Sequence, residues 1–556
     1  MMRKTAVLAL YFLVFWVFLP AMVIGISGRL EDSLNLQPLK STLAGTAILL
    51  VSVPFLGVAV WQYFKGSGNL PVSAYPPSQI MRKGLYNYFR HPIYLFYTLT
   101  LAGVALVLGS RAMLFVVMPF FILLTWIYIR WEENTLLHRF GEAYALYKSQ
   151  TGLVLPAFYH WVRIPLRIVF RYLFGIQFKT AALANIPPPF FIVAKHKNYL
   201  DPFYIALAVP YPVSYLATFE VFRSPLLGWF MRRFFSIPRK RFRTDFASIR
   251  YLTRTISNGG IIGLFPEGER SWTGETRDFK PEVMKLLCKM NPMPVLPVRI
   301  EGNYHAWPRW ANGFRRYRVT VECMDPVYPG SGCTPPIMEK MIKDSIGRNE
   351  IRGVPVSLVR DPAVGLEKVF YRCSVCRTFN SFKSAGNLIE CGHCGLKAMV
   401  SPNLDVRFAP PGPEIPMSIA GYYQTIRVTP EEPFLKNLII KGTRTDDDTE
   451  TTAGSLKESG KCRLYLETAN KFNLVMNGDL KLGEIGMVFT GNNREIVLKY
   501  REISSITTES NCKLQIYNPV TRQLFQVEFI TGSVLQWQDI LASAILLKAG
   551  RTINTR

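Results

Sequence analysis

The sequence predicts a multidomain chain: a transmembrane α-helical bundle, an α/β unit, a zinc ribbon and a β-rich barrel. Three observations predict it. Four long, uncharged apolar runs occupy the first 130 residues. Two short apolar runs, 190–194 and 261–265, each lead into a polar loop that carries reactive side-chain types. Two Cys-x-x-Cys pairs then precede a tail of short β-rich runs. A length of 556 residues accommodates roughly three to five such units.

Composition narrows the function classes. Lys and Arg number 65 against 39 Asp and Glu, a net charge of +26. Hydrophobic residues make up 49% and charged residues 19%. That apolar content excludes a disordered chain and argues against an ordinary soluble enzyme. Excess base with high apolar content suits a protein seated on anionic lipid. Nucleic acid is the competing partner of a basic protein, but no nucleic-acid motif is present. Nine Cys are too few for a disulfide scaffold. Four of them fall in two pairs, which points to metal in a reducing compartment.

The membrane bundle comes first. Runs 5–27, 42–64, 92–110 and 112–129 each approach the length that crosses a ~30 Å hydrocarbon core. The first is too long for a signal-peptide core and lacks a small-residue cleavage site, so it reads as a retained span. Arg3 and Lys4 precede span one; Lys65, Arg82, Lys83 and Arg90 lie between spans two and three; Arg130 and Arg139 follow span four. Basic flanks stay cytosolic, which puts these three regions on one side and the loop 28–40 on the other.

The loop entering span three carries Tyr86, Arg90, His91, Pro92 and Tyr94. After span four come Glu132 and Glu133, then Phe140, Gly141, Tyr144 and Tyr147; Glu133, Leu137, Phe140, Tyr144 and Tyr147 recur at a spacing that predicts one helix face. In order, the two segments read G-x-Y-x-x-x-R-H-P-x-Y and E-E-x-x-L-x-x-x-F-G-x-x-Y-x-x-Y. Residues 1–150 thereby resemble the isoprenylcysteine carboxyl methyltransferase and phospholipid methyltransferase superfamily. The resemblance implies S-adenosylmethionine as methyl donor. Arg90 and His91 suit its carboxylate; Glu132, Glu133, Tyr86 and Tyr94 suit its cationic centres and ribose. The bland alternative is a set of anchoring helices, with Arg and His at lipid phosphates and Tyr in an interfacial belt.

Residues 157–175 repeat arginine every fourth position, at Arg163, Arg167 and Arg171, among apolar residues. This reads as an interfacial helix lying on the membrane, with Pro165 limiting its first turn. The first short strand then ends in His196-x-x-x-x-Asp201, and the second in Phe265-Pro266-Glu267-Gly268-Glu269-Arg270-Ser271. Ile237-Pro238-Arg239-Lys240-Arg241 lies between them, and Val295-Leu296-Pro297-Val298 follows. Four blocks in this order resemble the glycerol-phosphate and lysophosphatidate acyltransferase family, over about residues 155–330. The chain departs from the family pattern at Lys195, Glu269 and Glu282, where Asn, Thr and Gly are usual.

That resemblance implies an α/β acyltransferase fold over 155–345. It also implies transfer from acyl-CoA or an acyl carrier protein thioester to a glycerol-phosphate or lyso-lipid hydroxyl. A neutral imidazole suits removal of that proton near pH 7. Asp201, five residues on, can accept from the other ring nitrogen and fix the tautomer. Arg241, Arg270 and Arg239 suit an acceptor phosphate, and Glu267 with Gly268 forms the turn that positions glycerol hydroxyls. The bland reading makes His196 a loop histidine and Glu267 a cap carboxylate.

Cys373, Cys376, Cys391 and Cys394 have zinc-ribbon spacing over 368–408, with His393 exposed. The other five Cys, at 288, 323, 333, 462 and 512, read as free thiols. A Pro-rich joint at 409–416 marks a boundary. Beyond it, strands are predicted at 422–428, 438–441, 463–467, 486–490, 495–500, 513–517 and 523–530, with a polar insert at 443–461 and a helix at 533–548. Over 417–550 the pattern resembles a pleckstrin-homology or GRAM-like barrel. The combined expectation is a multi-pass lipid-synthesis enzyme of a bacterial inner membrane, facing the cytoplasm. Its substrates are the phospholipid membrane and a lyso-lipid, an acyl carrier protein is a candidate partner, and no nucleic acid is involved. The alternatives are an acyltransferase with an inactive anchor and a non-catalytic lipid-binding scaffold.

Overall fold

The computed structural model describes residues 9–10, 12–67, 79–239, 242, 246–290, 292–347, 354–355, 359–408, 416–436, 459–468, 471–491, 494–550, 552 and 554–555. Arg241, the predicted strand 438–441, the start of span one, most of the Pro-rich joint and most of the polar insert lie outside the described residues.

Long apolar helices build the N-terminal unit. Val14–Phe18 is a π-helical turn that continues as α1 (Leu19–Leu34). Then come α2 (Thr42–Ser67), α3 (Pro92–Leu108), a second π-helical turn Met113–Val117, and α4 (Met118–Phe140). Three helices, Val14–Leu34, Thr42–Ser67 and Met113–Phe140, are long and apolar enough to cross a membrane. At 17 residues α3 is apolar but short, about 25 Å. α2 and α3 approach closely because Gly45 and Gly103 face each other: a Cβ on Gly45 would stand 2.8 Å from the Gly103 carbonyl oxygen.

Two sequence boundaries move. Helix α1 runs through the polar residues 28–34 that were expected in a loop, and ends at left-handed Asn35 (φ 48). Backbone hydrogen bonding needs no apolar side chains, and no breaker intervenes earlier. The single helix expected from Glu133 to Tyr147 breaks at Gly141 (φ 54). Glycine tolerates that conformation, and α5 (Glu142–Gln150) continues in a new direction.

Helix α6 (Phe158–Leu173) contains Pro165 well inside rather than at its first turn. Two of its arginines turn inward, while Arg171 is exposed. Arg163 donates to the Ala206 carbonyl at 3.1 Å, and Arg167 to that of Leu207 at 3.2 Å. Both cap the C-terminal end of α7 (Asp201–Ala208), where helix carbonyls attract cations. Trp161, Ile164, Ile168 and Tyr172 face outward.

A seven-stranded sheet follows: β1 (Gln177–Lys179), β2 (Phe190–Ala194), β3 (Val213–Thr218), β4 (Ile237–Arg239), β5 (Ile261–Leu264), β6 (Val295–Glu301) and β8 (Thr320–Cys323), in the order β1-β8-β6-β2-β5-β3-β4. Strand β2 is central, parallel to β5 and β6, and fully buried. That explains its unbroken apolar run. Helices α8 (Pro225–Arg233), α9 (Phe246–Ser257), α10 (Pro281–Lys289) and α11 (Pro335–Ile346) complete this unit. β7 (Tyr317–Arg318) pairs with β9 (Val354–Pro355) outside the main sheet. α10 and α11 share one core cluster, which brings Cys288 and Cys333 into a disulfide with Cα atoms 5.5 Å apart. This corrects the expectation that both are free thiols. Their proximity is tertiary, across 45 residues of sequence.

The N-terminal unit docks against this sheet. Arg82 donates to the carbonyls of Gly259, Asn258 and Ala143 at 2.6–3.0 Å. Asn87 donates to that of Pro210 at 2.6 Å, and Arg254 pairs with Glu142 through its Nε and Nη2.

The four cysteines belong to a unit built on a five-stranded antiparallel sheet, β10 (Phe382–Ala385), β11 (Leu388–Cys391), β12 (Lys397–Val400), β13 (Val406–Phe408) and β14 (Pro416–Met417); Cys391 ends β11, and the other three lie in the turns before β10 and after β11. Next is α12 (Ile419–Ile426), a helix where residues 422–428 were predicted as a strand. Ser418 caps it by accepting from the Gly421 amide, and Ile419, Tyr422 and Ile426 bury one face at helical spacing. Last comes an eight-stranded sheet: β15 (Ser459–Thr468), β16 (Lys471–Leu482), β17 (Gly486–Gly491), β18 (Arg494–Lys499), β19 (Ser505–Glu509), β20 (Lys513–Asn518), β21 (Gln523–Phe529) and β22 (Asn554–Thr555). It curls as a half-barrel against α13 (Val534–Ala549). Strands β16 and β19 had no sequence prediction; both are rich in polar residues. One core cluster runs from Trp272, Tyr304 and Trp310 through the cysteine unit into this sheet.

Candidate functional site

Parallel pairing assembles the site. Because β2 and β5 are parallel neighbours, their following loops leave the same edge of the sheet. His196 follows β2 and Glu267 follows β5. The loops are tied where the Ser271 amide donates to the His196 carbonyl at 3.2 Å.

His196 Nδ1 lies 3.0 Å from Asp201 Oδ2. Asp201 opens α7 and is fully buried. Its Oδ2 also accepts from the amides of Lys197 and Asn198 at 2.7 and 2.8 Å, and its Oδ1 accepts from Asn303 Nδ2 at 2.8 Å. Asp201 thus accepts from three donors besides the imidazole. It therefore takes the Nδ1 proton and leaves Nε2 as the basic nitrogen. Phe265 stacks on the imidazole at 4.4 Å. Burial pulls the His196 pKa below its usual 6.5, against the pull of Asp201. The ring is thus neutral at pH 7.

Glu267 is only 2% exposed, and neither carboxylate oxygen has a hydrogen-bond partner among the described residues. Burial pushes its pKa up to about 8, opposed by Lys197, by the nearby Arg277 amide and by Lys195. Gly268 (φ +75) makes the turn; a Cβ there would stand 2.4 Å from the Lys280 side chain. Arg270 is buried over the Tyr199 ring at 3.2 Å, and its Nη1 has no hydrogen-bond partner among the described residues. Arg239 ends β4 and is exposed. Lys195 points away to the Gly347 carbonyl at 2.6 Å, and Glu269 turns to Arg277 at 3.1 Å. Asn303 and Arg309 are components no sequence signal marks. Asn303 lies 102 residues from the carboxylate it holds.

A second constellation lies at the mouth of the helical unit. Arg90 Nε donates to Glu133 Oε1 at 2.7 Å, and Lys148 Nζ to Glu133 Oε2 at 2.7 Å. A further Arg90 arm reaches the Thr151 carbonyl at 2.7 Å. His91 Nδ1 is 3.4 Å from Glu132 Oε2, and Tyr94 Oη donates to the same oxygen at 3.2 Å. Tyr86, Arg90, His91, Tyr94 and Glu132 line a cavity of about 70 Å³. Arg90 and Glu133 are thus largely spent on each other, while His91 Nε2 is buried 3.7 Å from Glu133 Oε1 with no hydrogen-bond partner among the described residues.

The Sγ atoms of Cys373, Cys376, Cys391 and Cys394 all lie within 4.8 Å of one another, with pairs at 3.6 and 3.7 Å. Four thiolates about 2.3 Å from a tetrahedral zinc would sit ~3.8 Å apart, so the set fits that metal. His393 is exposed.

Residues 177–301 match the family model described as Acyltransferase, and residues 42–143 the one described as Phospholipid methyltransferase. The chain thus carries both domains, and the first has 1-acyl-sn-glycerol-3-phosphate acyltransferase homologues. The chloroplastic enzyme of that name from Brassica napus is 26% identical over 152 residues, covering 26% of this chain and 44% of its own length. That of Bacillus subtilis is 26% identical over 121 residues, covering 21% and 59%. That of Limnanthes douglasii is 25% identical over 183 residues, covering 32% and 65%. The chain therefore spans roughly half to two thirds of these relatives. The crystal structure of the 1-acyl-sn-glycerophosphate acyltransferase of Thermotoga maritima aligns at 25% identity and TM-score 0.29, covering 34% of this chain and 78% of that one.

Proposed function

We propose that this chain is a membrane-seated enzyme of lipid synthesis that moves an acyl group from an acyl thioester to the hydroxyl of a phosphate-bearing lyso-lipid. The observation that carries this reading is the His196–Asp201 pair at 3.0 Å, beside the buried, unpartnered carboxyl of Glu267. Asp201 holds the Nδ1 proton, so Nε2 takes the proton of the acceptor hydroxyl. The alkoxide-like oxygen attacks the thioester carbonyl. The tetrahedral adduct expels the thiolate, which receives the proton back from the imidazolium. No acyl-enzyme forms. Glu267, protonated at pH 7, is a hydrogen-bond donor for the glycerol hydroxyls. The buried Nη1 of Arg270 is available to the acceptor phosphate, with Arg239 at the rim. The relatives' name supports 1-acyl-sn-glycerol-3-phosphate as the acceptor class.

The helical unit supports a second activity, methylation of a lipid. S-adenosylmethionine, when bound, supplies an electrophilic methyl group. Glu132, His91, Tyr86 and Tyr94 would hold it at the cavity they line, with Arg90 and Glu133 bracing the wall. The basic flanks Arg82, Lys83, Arg130 and Arg139 favour a cytosolic seat for both units. In the four-cysteine unit zinc is structural, because four thiolates leave no open position. The half-barrel is read as pleckstrin-homology-like, on the support of its strand order and closing helix.

The decisive experiment supplies the full chain in proteoliposomes with lysophosphatidate, a labelled acyl thioester and labelled methyl donor, and reads the lipids by mass spectrometry. An acyl increment lost in His196→Ala is expected, together with a methyl increment lost in Glu132→Gln. A full acyl increment in His196→Ala overturns the acyltransferase mechanism. Absence of saturable donor binding reduces the helical unit to an anchor.

A further inference from the structure

Arg309 lies outside every sequence motif. It is 3% exposed, and its guanidinium stacks over Trp272 at 4.5 Å. Its Nη1 donates to the Arg270 carbonyl at 3.0 Å. Its Nη2 donates to Thr508 Oγ1 at 2.7 Å and to the Thr508 carbonyl. Its Nε reaches the Ser510 carbonyl at 3.4 Å. Trp272 also donates, through Nε1, to Thr508 Oγ1 at 3.4 Å. Thr508 belongs to β19 of the C-terminal sheet, while Arg270 belongs to the turn after β5. A guanidinium is planar and rigid, so gripping both ends fixes their separation.

A second contact repeats the connection. Phe242, just beyond β4 and its Arg239, stacks on Tyr517 of β20 at 5.8 Å. Both segments expected to meet the acceptor phosphate are therefore braced by adjacent strands of the same C-terminal sheet.

We propose that the C-terminal sheet is a working part of the acceptor site. Thr508 and Arg309 are positioning residues that set the Arg270 main chain, and with it the affinity for the acceptor's phosphate. The inference rests on the acyl-transfer reading above. It extends that reading to a sheet outside the matched acyltransferase segment 177–301. Thr508→Val keeps the side-chain shape but removes the oxygen that accepts from Arg309 and Trp272. The guanidinium keeps the Thr508 carbonyl and its other partners but loses the hydroxyl that it shares with Trp272.

The test compares the full-length protein, Thr508→Val, Thr508→Ser and Tyr517→Leu in proteoliposomes, with lysophosphatidate and acyl thioester varied separately. Thr508→Val is expected to raise KM for lysophosphatidate by about five- to tenfold while kcat and the thioester KM stay within about twofold. Thr508→Ser is expected to restore KM. Tyr517→Leu, at the rim and away from the buried charge, is expected to raise the same KM by about two- to threefold. Unchanged lysophosphatidate KM in both Thr508→Val and Tyr517→Leu overturns the proposal. So does an equal loss for both substrates with a lowered melting temperature, which marks simple domain glue. If the unmodified protein acylates nothing, the acyl-transfer reading itself has failed, which is a different outcome.

Discussion

Replacing Glu267 by Gln tests the electrostatics of the site. The wild-type carboxyl is 2% exposed and titrates near 8 rather than 4.5 because burial disfavours its charge. The folded chain therefore holds a proton between these values that the unfolded chain has released. Stability is full below pH 4.5 and falls as pH rises towards 8. At about 1.4 kcal/mol per pH unit, Glu267 costs about 3 kcal/mol at pH 7 and about 4–5 kcal/mol at pH 9. Gln has the same shape and no charge. Glu267→Gln should match wild type near pH 4.5 and exceed it increasingly above that, by about 3 kcal/mol at pH 7. Melting of both proteins in the same detergent micelles, at steps from pH 4.5 to 9, reads the divergence. Acylation should fall in the variant, since an amide cannot reproduce the donor geometry of a carboxylic acid. Melting curves separated by a constant amount at every pH would refute the buried, protonated carboxyl, as would a variant less stable than wild type at pH 8.

The remaining expectations follow from the same geometry. The acid limb of kcat/KM for acyl transfer should lie below pH 6.5, because burial lowers His196, and the basic limb should lie near 8, where Glu267 ionises. Residual activity of Glu267→Gln should lack the basic limb; a basic limb surviving there assigns it to another group. Asp201→Asn should cut kcat by about 10²–10⁴-fold without unfolding the chain, since Asn can still accept from the Lys197 and Asn198 amides; activity within threefold of wild type contradicts the tautomer role. Cys376→Ser should lower bound zinc, measured by plasma mass spectrometry, from one equivalent towards none. It should also lower the melting temperature, because Cys373 and Cys391 sit in the core shared with the C-terminal sheet. Full metal retention refutes a four-thiolate site.

Local signals made several elements legible. The apolar runs of α2 and α4, the buried run of β2, the cysteine spacing and the closing helix α13 all show in the sequence as length or period. Signals that depend on context misled. Residues 422–428 carry β-prone side chains, yet a serine cap and burial at helical spacing make α12 a helix. In α6 the regular arginines gave no hint that Arg163 and Arg167 have protein partners. Their targets, the C-terminal carbonyls of α7, lie 40 and more residues away. The pairing of Cys288 with Cys333 likewise depends on how α10 meets α11.

At the site, His196, Asp201, Glu267 and Arg270 were named from sequence because they fall in blocks whose order resembles that of an acyltransferase family. Asp201 lies within one helical approach of His196, so its role is local. The sequence by itself determined which reactive groups exist and which strand ends carry them. Only the tertiary structure decided what surrounds them. Asn303 completes the shell of Asp201, burial holds a proton on Glu267, and Thr508 reaches Arg270 through Arg309. Those effects arise from desolvation and from hydrogen bonds between segments 100 to 240 residues apart, and no local pattern of residues encodes such distances.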